Sequence, residues 1–369
     1  MIEIDSSKTR HEVIAGELEK QLFQLASGSK LPTVRHLMNH YQVSQATIDR
    51  SLHCLEEKGL IERIAGRGYF RTPPLSSEEE TLKIDFCFFV KKHVVDNPLY
   101  SRIRDVMLMK MHQRDCFMNI LVYEDMGCVS EFRSRIRRNA PDAFIMMACS
   151  KVSFHYVLRD MGIPDIQVYP NFLEKDVLTY RIDNERAIRL AIEHLYSLGH
   201  RRIALLHGQG AENTYMLDQE ERIETFYSVM AEKKLPAAGP YVKFGGFSTE
   251  GGFSAANELL SLPEWKRPTA IIANDYSAPG VYRAAEAHNL SVPEDLSVVG
   301  FDKLNSTELL QPSLTTIDIC WEPMTDLLVE KAIELARKRQ QESGLVRTNV
   351  ALVKGKSTAA APGSPKTRN

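Results

Sequence analysis

The sequence predicts an α/β protein built in two parts: a small N-terminal helical module closed by a β-hairpin, and a larger C-terminal region with parallel sheets in two lobes. Three observations point there. The chain has 369 residues, more than the roughly 100–200 of one ordinary domain. Its first 72 residues place three helical periodicities ahead of two short strands. From Leu82 onward, short apolar runs alternate with helical stretches, the pattern of parallel sheets covered on both faces.

Residues 8–26 read as a helix, because Val13, Ile14, Leu18, Leu22 and Leu25 recur at helical spacing, and Gly28 ends it. Pro32 and Thr33 open a short helix carrying Val34, Leu37 and Met38, and Tyr41-Gln42-Val43 is the turn after it. Ser44 is placed to cap the next helix, which runs to Lys58, since its hydroxyl can accept a backbone N–H left free at a helix start. Ile48, Leu52 and Leu55 line one face of that helix, and Gly59 stops it. Leu60, Ile61 and Ile64 then read as a strand, Gly66-Arg67-Gly68 as a turn, and Tyr69-Phe70 as the start of a return strand. Three helices and a hairpin in this order describe a winged helix-turn-helix over 1–72. Residues 73–82, beginning Pro-Pro-Leu-Ser-Ser-Glu-Glu-Glu, have no apolar face and read as a linker.

Beyond the linker, buried strands are predicted at 84–90, 119–123, 143–148, 166–169, 202–208, 270–275 and 296–302, with helices between them at 185–198, 220–234, 251–261 and 277–288. Nearly 290 residues of this alternation suit two α/β lobes better than one sheet. The expected division puts the first lobe at about 83–180 and 308–342, the second at about 181–307 and 343–358, and a disordered Ala/Pro/Ser/Lys-rich tail at 359–369.

Composition narrows the function classes. Net charge is −2, so the whole chain is no polycation. Between Lys30 and Thr72, however, seven Lys/Arg stand against four Asp/Glu, a modest basic surplus compatible with DNA contact. The six cysteines form no CxxC pair and read as buried free thiols of a reducing compartment. The first ten residues lack the apolar core of a signal peptide, and no stretch approaches the ~20 apolar residues of a membrane span, so a cytoplasmic protein is expected. The eleven histidines are dispersed with no HExxH, and neither GxSxG nor a P-loop occurs. HGQG at 207–210 lacks the full GxGxxG pattern. No enzyme, metal or cofactor is therefore expected. Adjacent acids such as Glu56-Glu57 and Glu220-Glu221 read as solvated charges, and His200 as a residue that ends a helix and favours its dipole.

The run LPTVRHLMNHYQVSQATIDRSLHCLEEKGLIERIAGRGYF (31–70) resembles the GntR family of bacterial regulators, with many features in register. The resemblance implies double-stranded DNA as a partner, and the residues fit it physically. A helix starting at Ser44 offers its first turn to the major groove. Gln45 and Thr47 can hydrogen-bond base edges or phosphates, and Arg35 and Arg50 can anchor the backbone. Gly66, Arg67 and Gly68 form a wing tip that approaches DNA closely. Gln45 and Asp49 stand where the family often has arginine, so no operator sequence carries over. Solvated surface charge is the alternative for Arg35, Arg50 and Arg67.

The remainder, about 84–358, resembles the effector domain of the LacI/GalR family, which looks like the periplasmic sugar-binding proteins: two lobes with a ligand between them. The match rests on DNPLYSRI (96–103), RIDNERAIRLAIEHLYSLGHRRIALLHG (181–208), RPTAIIANDYSAPGVYRAAEAHNLSVPEDLSVVGFD (267–302) and PSLTTIDICWEPM (312–324), in family order. Ligands of open parallel sheets settle at the strand C-terminal ends. The resemblance implies effector contacts at Asp275, Arg222 and Phe247 in one lobe, and at Pro98, Leu99 and Tyr100 in the other. Alternatives stay open: Asp275 as a helix N-cap, Phe247 as core, Arg222 as a surface charge. A sugar or sugar derivative is the implied effector, with a purine the other option. The expected whole is a homodimeric repressor on a palindromic operator, without a membrane. Two other readings are a solute-binding protein of a transport system, which the N-terminal module and the missing signal peptide disfavour, and a regulator whose sensor serves only dimerisation. The linker's acids would disfavour DNA contact.

Overall fold

The computed structural model describes residues 9–22, 25, 28–72, 81–89, 98–123, 128–208, 216–236 and 240–363. The chain divides into two compact units, Met1–Glu80 and Thr81–Asn369. The proposed linker falls almost wholly outside the described residues.

In the first unit, α1 (Arg10–Leu22), α2 (Val34–Tyr41) and α3 (Gln45–Glu57) precede a hairpin of β1 (Ile61–Ile64) and β2 (Gly68–Arg71). Ile48, Leu52 and Leu55 are fully buried against Ile14, Leu18, Leu22, Leu37 and Ile61, so the face read from spacing is the core face. Leu25 lies beyond α1 and is exposed.

Among the described residues the second unit holds two six-stranded sheets. In chain order its elements are β3 (Lys83–Phe88), α4 (Pro98–His112), β4 (Phe117–Val122), α5 (Val129–Asn139), β5 (Ala143–Met147), α6 (Val152–Asp160), β6 (Asp165–Val168), β7 (Leu178–Ile182), α7 (Asn184–Ser197), β8 (Ile203–His207) and α8 (Leu217–Glu232). Then follow β9 (Val242–Phe244), α9 (Thr249–Leu260), β10 (Ala270–Ile272), α10 (Ala278–Ala287), β11 (Ser297–Phe301), β12 (Thr315–Asp318), α11 (Trp321–Lys338), β13 (Gly344–Thr348) and β14 (Ala351–Val353). One sheet runs β13-β7-β6-β5-β3-β4 and the other β14-β12-β11-β10-β8-β9. The strand pairs are parallel except β12 with β14. Apolar clusters cover both faces of each sheet, as continuous apolar strands require.

The chain crosses between lobes at β7–α7, β12–α11 and β13–β14. Two expected boundaries therefore move. β12 extends the second sheet beside β11, and β13 extends the first beside β7. The second crossing falls after Asp318 instead of near 308, and the third after Thr348 instead of near 343. Both strands are short and partly polar, so their partners were not readable from apolar pattern.

Residues 359–363, expected in a disordered tail, are held in place, and 364–369 lie outside the described residues. Ser357 is buried and bonds Val298 O and Thr315 N, and Ala361 N bonds Leu198 O. His200 holds this strap. Its Nε2 lies 2.9 Å from Ser297 Oγ and 3.1 Å from Ala359 O, and its Nδ1 2.9 Å from Thr269 Oγ1. A carbonyl only accepts, so Nε2 carries the proton of a neutral ring. Burial pushes its pKa down to about 4. His200 is thus no cation at a helix end, which corrects the reading from LGHRR.

A depressed histidine pKa stabilises the fold above the unfolded value of about 6.5, and that contribution is lost as pH falls toward the folded value. Comparing chemical denaturation of the parent with His200→Gln should show the parent's advantage shrinking by about 3 kcal/mol between pH 6.5 and pH 4. The difference is the proper readout, because Asp302 slopes the opposite way in that window. An advantage that does not change with pH would contradict the assignment.

Candidate functional site

The first unit presents α3 and the wing. Ser44 has cap backbone geometry, and its carbonyl accepts from Thr47 N and Ile48 N. Its hydroxyl makes no cap bond to a backbone N–H and instead lies 3.0 Å from Thr47 Oγ1. Thr33 does cap α2, accepting from His36 N. Gln45 and Arg50 on α3, and Arg35 on α2, are exposed. Ser51 pins the other side of α3 by donating to His11 O at 3.0 Å. At the wing, Gly66 and Gly68 have φ of 73° and 105°, values that glycine adopts without a Cβ penalty. Arg67 is exposed between them, its guanidinium 5.6 Å from the Phe70 ring centre.

In the second unit, side chains converge where β8, β10 and β11 end. A pocket is lined there by His207, Gln219, Arg222, Asn274 and Phe301 among others. Strand ends supply three of these and the first turns of α8 the other two. Arg222 is buried, its guanidinium 3.6 Å from the Phe301 ring centre, and its Nε donates to Asn184 Oδ1 at 2.8 Å. It is therefore no surface charge.

Asp302, directly after β11 and next to the Phe301 ring that Arg222 covers, is an acid that feels the Arg222 charge. Burial pushes its carboxyl up to about 6, while Arg222 draws it down. Its φ of 105° is rare for a residue with a side chain, and its N–H bonds Ile317 O. From the first lobe, Tyr100 on α4 and Tyr169 after β6 reach the same ground. Burial pushes Tyr100 up to about 12, with Asp302 and Asp218 adding to the rise. Tyr169 is pushed well up in the same way and packs 5.3 Å from Trp321, centre to centre.

Asp275 sits differently from expectation. It is 2 % exposed, and its oxygens accept from Leu304 N and Thr316 Oγ1, both at 2.7 Å. It is no N-cap either; Ser277 has that place on α10, and its N–H donates to Asn274 Oδ1 at 2.9 Å. Asp275 lies beneath the cleft and holds the turn that carries Asp302. Phe247 is partly exposed, and its ring covers Gly208 so closely that a Cβ there would lie 2.1 Å from Phe247 Cζ. Asn274 Nδ2 bonds Gly246 O and fixes that loop. Pro98 begins α4, and its side chain is outside the described residues. Glu221 is no freely solvated charge, since Arg181 lies 3.0 Å away. Sequence reasoning passed over Asp302, Asn184, Arg181 and Tyr169. The signals were present: an acid right after SVVGF, and the polar RIDN after LTY.

Comparison with known proteins agrees with this anatomy. The profile for bacterial regulatory proteins of the gntR family matches residues 10–70, and that for a periplasmic binding protein-like domain matches 192–358. The arabinose metabolism transcriptional repressor of Geobacillus stearothermophilus is 26 % identical over 339 residues, covering 87 % of this chain and 88 % of that one. The HTH-type transcriptional repressor CytR of Escherichia coli strain K12 is 27 % identical over 295 residues, covering 77 % and 79 %. Among solved structures, a LacI family transcriptional regulator from Enterococcus faecium with bound ribose is 26 % identical, with TM-score 0.64 over 75 % of this chain and 99 % of that one.

Fold and matches define a class, the transcription regulators with a separate DNA-binding head. More particularly, the chain joins a GntR-type winged helix-turn-helix to a periplasmic-binding-protein-like domain. Among the described residues no helix is long and apolar enough to cross a membrane.

Proposed function

We propose that this chain is a cytoplasmic, ligand-responsive repressor without catalytic activity, acting as a homodimer on a palindromic operator. One observation carries the sensing half: Arg222, Asn274 and Phe301 line a pocket at strand C-terminal ends, where α/β sheets bind ligands, and the charge of Asp302, next after Phe301, is felt by Tyr100 and Tyr169 of the other lobe. The effector is a sugar or sugar derivative. Its hydroxyls donate to Asp302 and accept from Arg222 and Asn274, while Phe247 covers one side. Asp275 positions the Asp302 turn without touching ligand. In the head, Gln45 and Thr47 face base edges. Ser44 supports Thr47, and Arg35, Arg50 and Arg67 face phosphates, with Gly66 and Gly68 shaping the wing. Ligand shifts operator affinity by binding one lobe arrangement better than another.

The test is fluorescence anisotropy at physiological salt, comparing fragments from the gene's own promoter region with random duplex. A preference of about 10³ or more is expected, relieved by one member of a panel of free sugars and nucleosides. No preference with or without the panel refutes the reading. Since the chain has two tryptophans and Trp265 is exposed, Trp265→Phe leaves Trp321, packed on Tyr169, as an optical reporter of cleft occupancy.

A further inference from the structure

A charged network joins the crossover strands to Arg222. Arg181, next to last in β7, is 1 % exposed. It donates to Asp218 Oδ1 at 2.8 Å and lies 3.0 Å from Glu221 Oε1. β7 belongs to the first sheet, whereas both acids stand in the first turns of α8, in the second lobe. Arg347, the register partner of Arg181 on β13, lies 3.8 Å from Glu221. Asn184 closes the circuit: its Nδ2 donates to Asp218 and Glu221 at 3.2 and 3.1 Å, and its Oδ1 accepts from Arg222 Nε.

The order of residues on α8 makes this network consequential. Asp218 and Arg222 stand at i and i+4, acid first, the spacing and orientation in which a helix forms its own ion pair. That pair is not made. Asp218 is taken by Arg181 and Asn184, and Arg222 lies over the ring of Phe301, the residue before Asp302, and bonds Asn184. A cation reaching in from the other lobe has outcompeted a neighbour on the same helix. Withdrawing it would leave Asp218 with the neutral amide of Asn184, and Glu221 with that amide and the more distant Arg347, which is costly for a partly buried carboxylate, and Arg222 is the cation nearest to hand on α8.

We propose that Arg181 is a positioning residue that, by occupying Asp218 and Glu221 from the first lobe, keeps Arg222 turned toward Asp302 and available to ligand. The cleft is then competent only while the lobes hold the arrangement that brings Arg181 onto α8, and lobe rotation and ligand affinity are coupled through one guanidinium. This rests on the effector-site reading above, but its test needs neither ligand nor DNA.

The readout is the titration of Asp302 in the full-length chain, by NMR of ¹³C-labelled aspartate carboxyls, with D302N identifying the signal. Arg222, Asp275, Tyr100 and Tyr169 face Asp302, and of these Arg222 is the group that draws its carboxyl down. In R181M, Arg222 is expected to swing to Asp218, and the Asp302 midpoint to rise by about one pH unit or more. R181M/D218N, which removes the competing acid, should restore the midpoint, a rescue that a merely structural role would not give. A folded R181M with an unmoved midpoint overturns the proposal, as does failure of the double variant to restore it. Should R181M not fold, R181K carries the test: one ammonium serves one acid, so a smaller rise is expected and no rise overturns the proposal. A failed operator assay would count against the regulator reading and leave this result standing.

Discussion

Leu52→Ala should abolish operator binding while the second unit stays folded. Leu52 is fully buried, midway along α3 between Ile48 and Leu55. Truncating a buried leucine costs about 2–5 kcal/mol in lost transfer energy and residual cavity. A head of this size commands only on the order of 3–10 kcal/mol in all, at roughly 0.05–0.15 kcal/mol per residue. The substitution therefore consumes much or all of that stability, and it does so in the helix whose first turn is offered to DNA. Calorimetry should show the transition of the head falling by about 10 °C or more, at roughly 4–8 °C per kcal/mol for so small a unit. The transition of the second unit should not move. Arg50→Ala is the companion: an exposed residue, its loss should weaken DNA binding, lower the salt slope by about one and leave both transitions in place. Parent-like operator affinity in Leu52→Ala would mean that α3 is not the reading element.

Much of the fold was legible because burial writes itself into apolar periodicity. Ile48, Leu52 and Leu55 at helical spacing are the core face of α3. The runs around Phe86, Ile145, Leu205 and Val299 are central strands, covered on both sides. What escaped was decided by tertiary partners. β7 reads Leu-Thr-Tyr-Arg-Ile, and its arginine is buried only because Asp218 and Glu221 come from another lobe. β12 and β13 are four and five residues long, too short to declare which sheet they join. The strap over His200 is Ala- and Ser-rich, and order there comes from hydrogen bonds to Ser297, Thr315 and Leu198, which composition cannot foretell.

The candidate site was legible in part. Arg222 lines the pocket at the strand ends, and its burial and its bond to Asn184 are not readable from its acidic neighbours. Asp275 and Asp302 are two acids that each follow an apolar strand. Side-chain direction separates them. The carboxylate of Asp275 turns into the protein toward Thr316 and Leu304. Asp302 is held at a strained backbone angle, and its carboxyl feels the charge of Arg222. Strain of this kind, at a residue whose own carboxyl is not needed to hold the turn, suits a site kept in shape for a partner.

Asp302→Asn should accordingly separate stability from response. The Asp302 carboxyl is raised from its ordinary value of 3.8 to about 6, so its charged form is disfavoured by folding. The folded chain then holds the Asp302 proton more tightly than the unfolded chain does, and the parent loses stability as pH rises from about 4 to 6. At pH 7 that cost is fully present and amounts to at most about 3 kcal/mol. Asparagine keeps the shape and cannot ionise, so the variant should melt higher than the parent at pH 7. The gain should fade as pH drops through 6 and be gone below about 4. Ligand-induced release of operator and the Trp321 signal should both be lost, because the amide no longer offers a negative acceptor to ligand hydroxyls or to Arg222. Asp275→Ala should behave in the opposite manner. It leaves the Leu304 N–H and the Thr316 hydroxyl without their buried acceptor, a loss of about 1–3 kcal/mol for each group left unpaired, and weakens response only as far as the Asp302 turn slackens. An Asp302→Asn variant that responds to ligand as the parent does would remove Asp302 from the site and return the choice to the residues around Phe247.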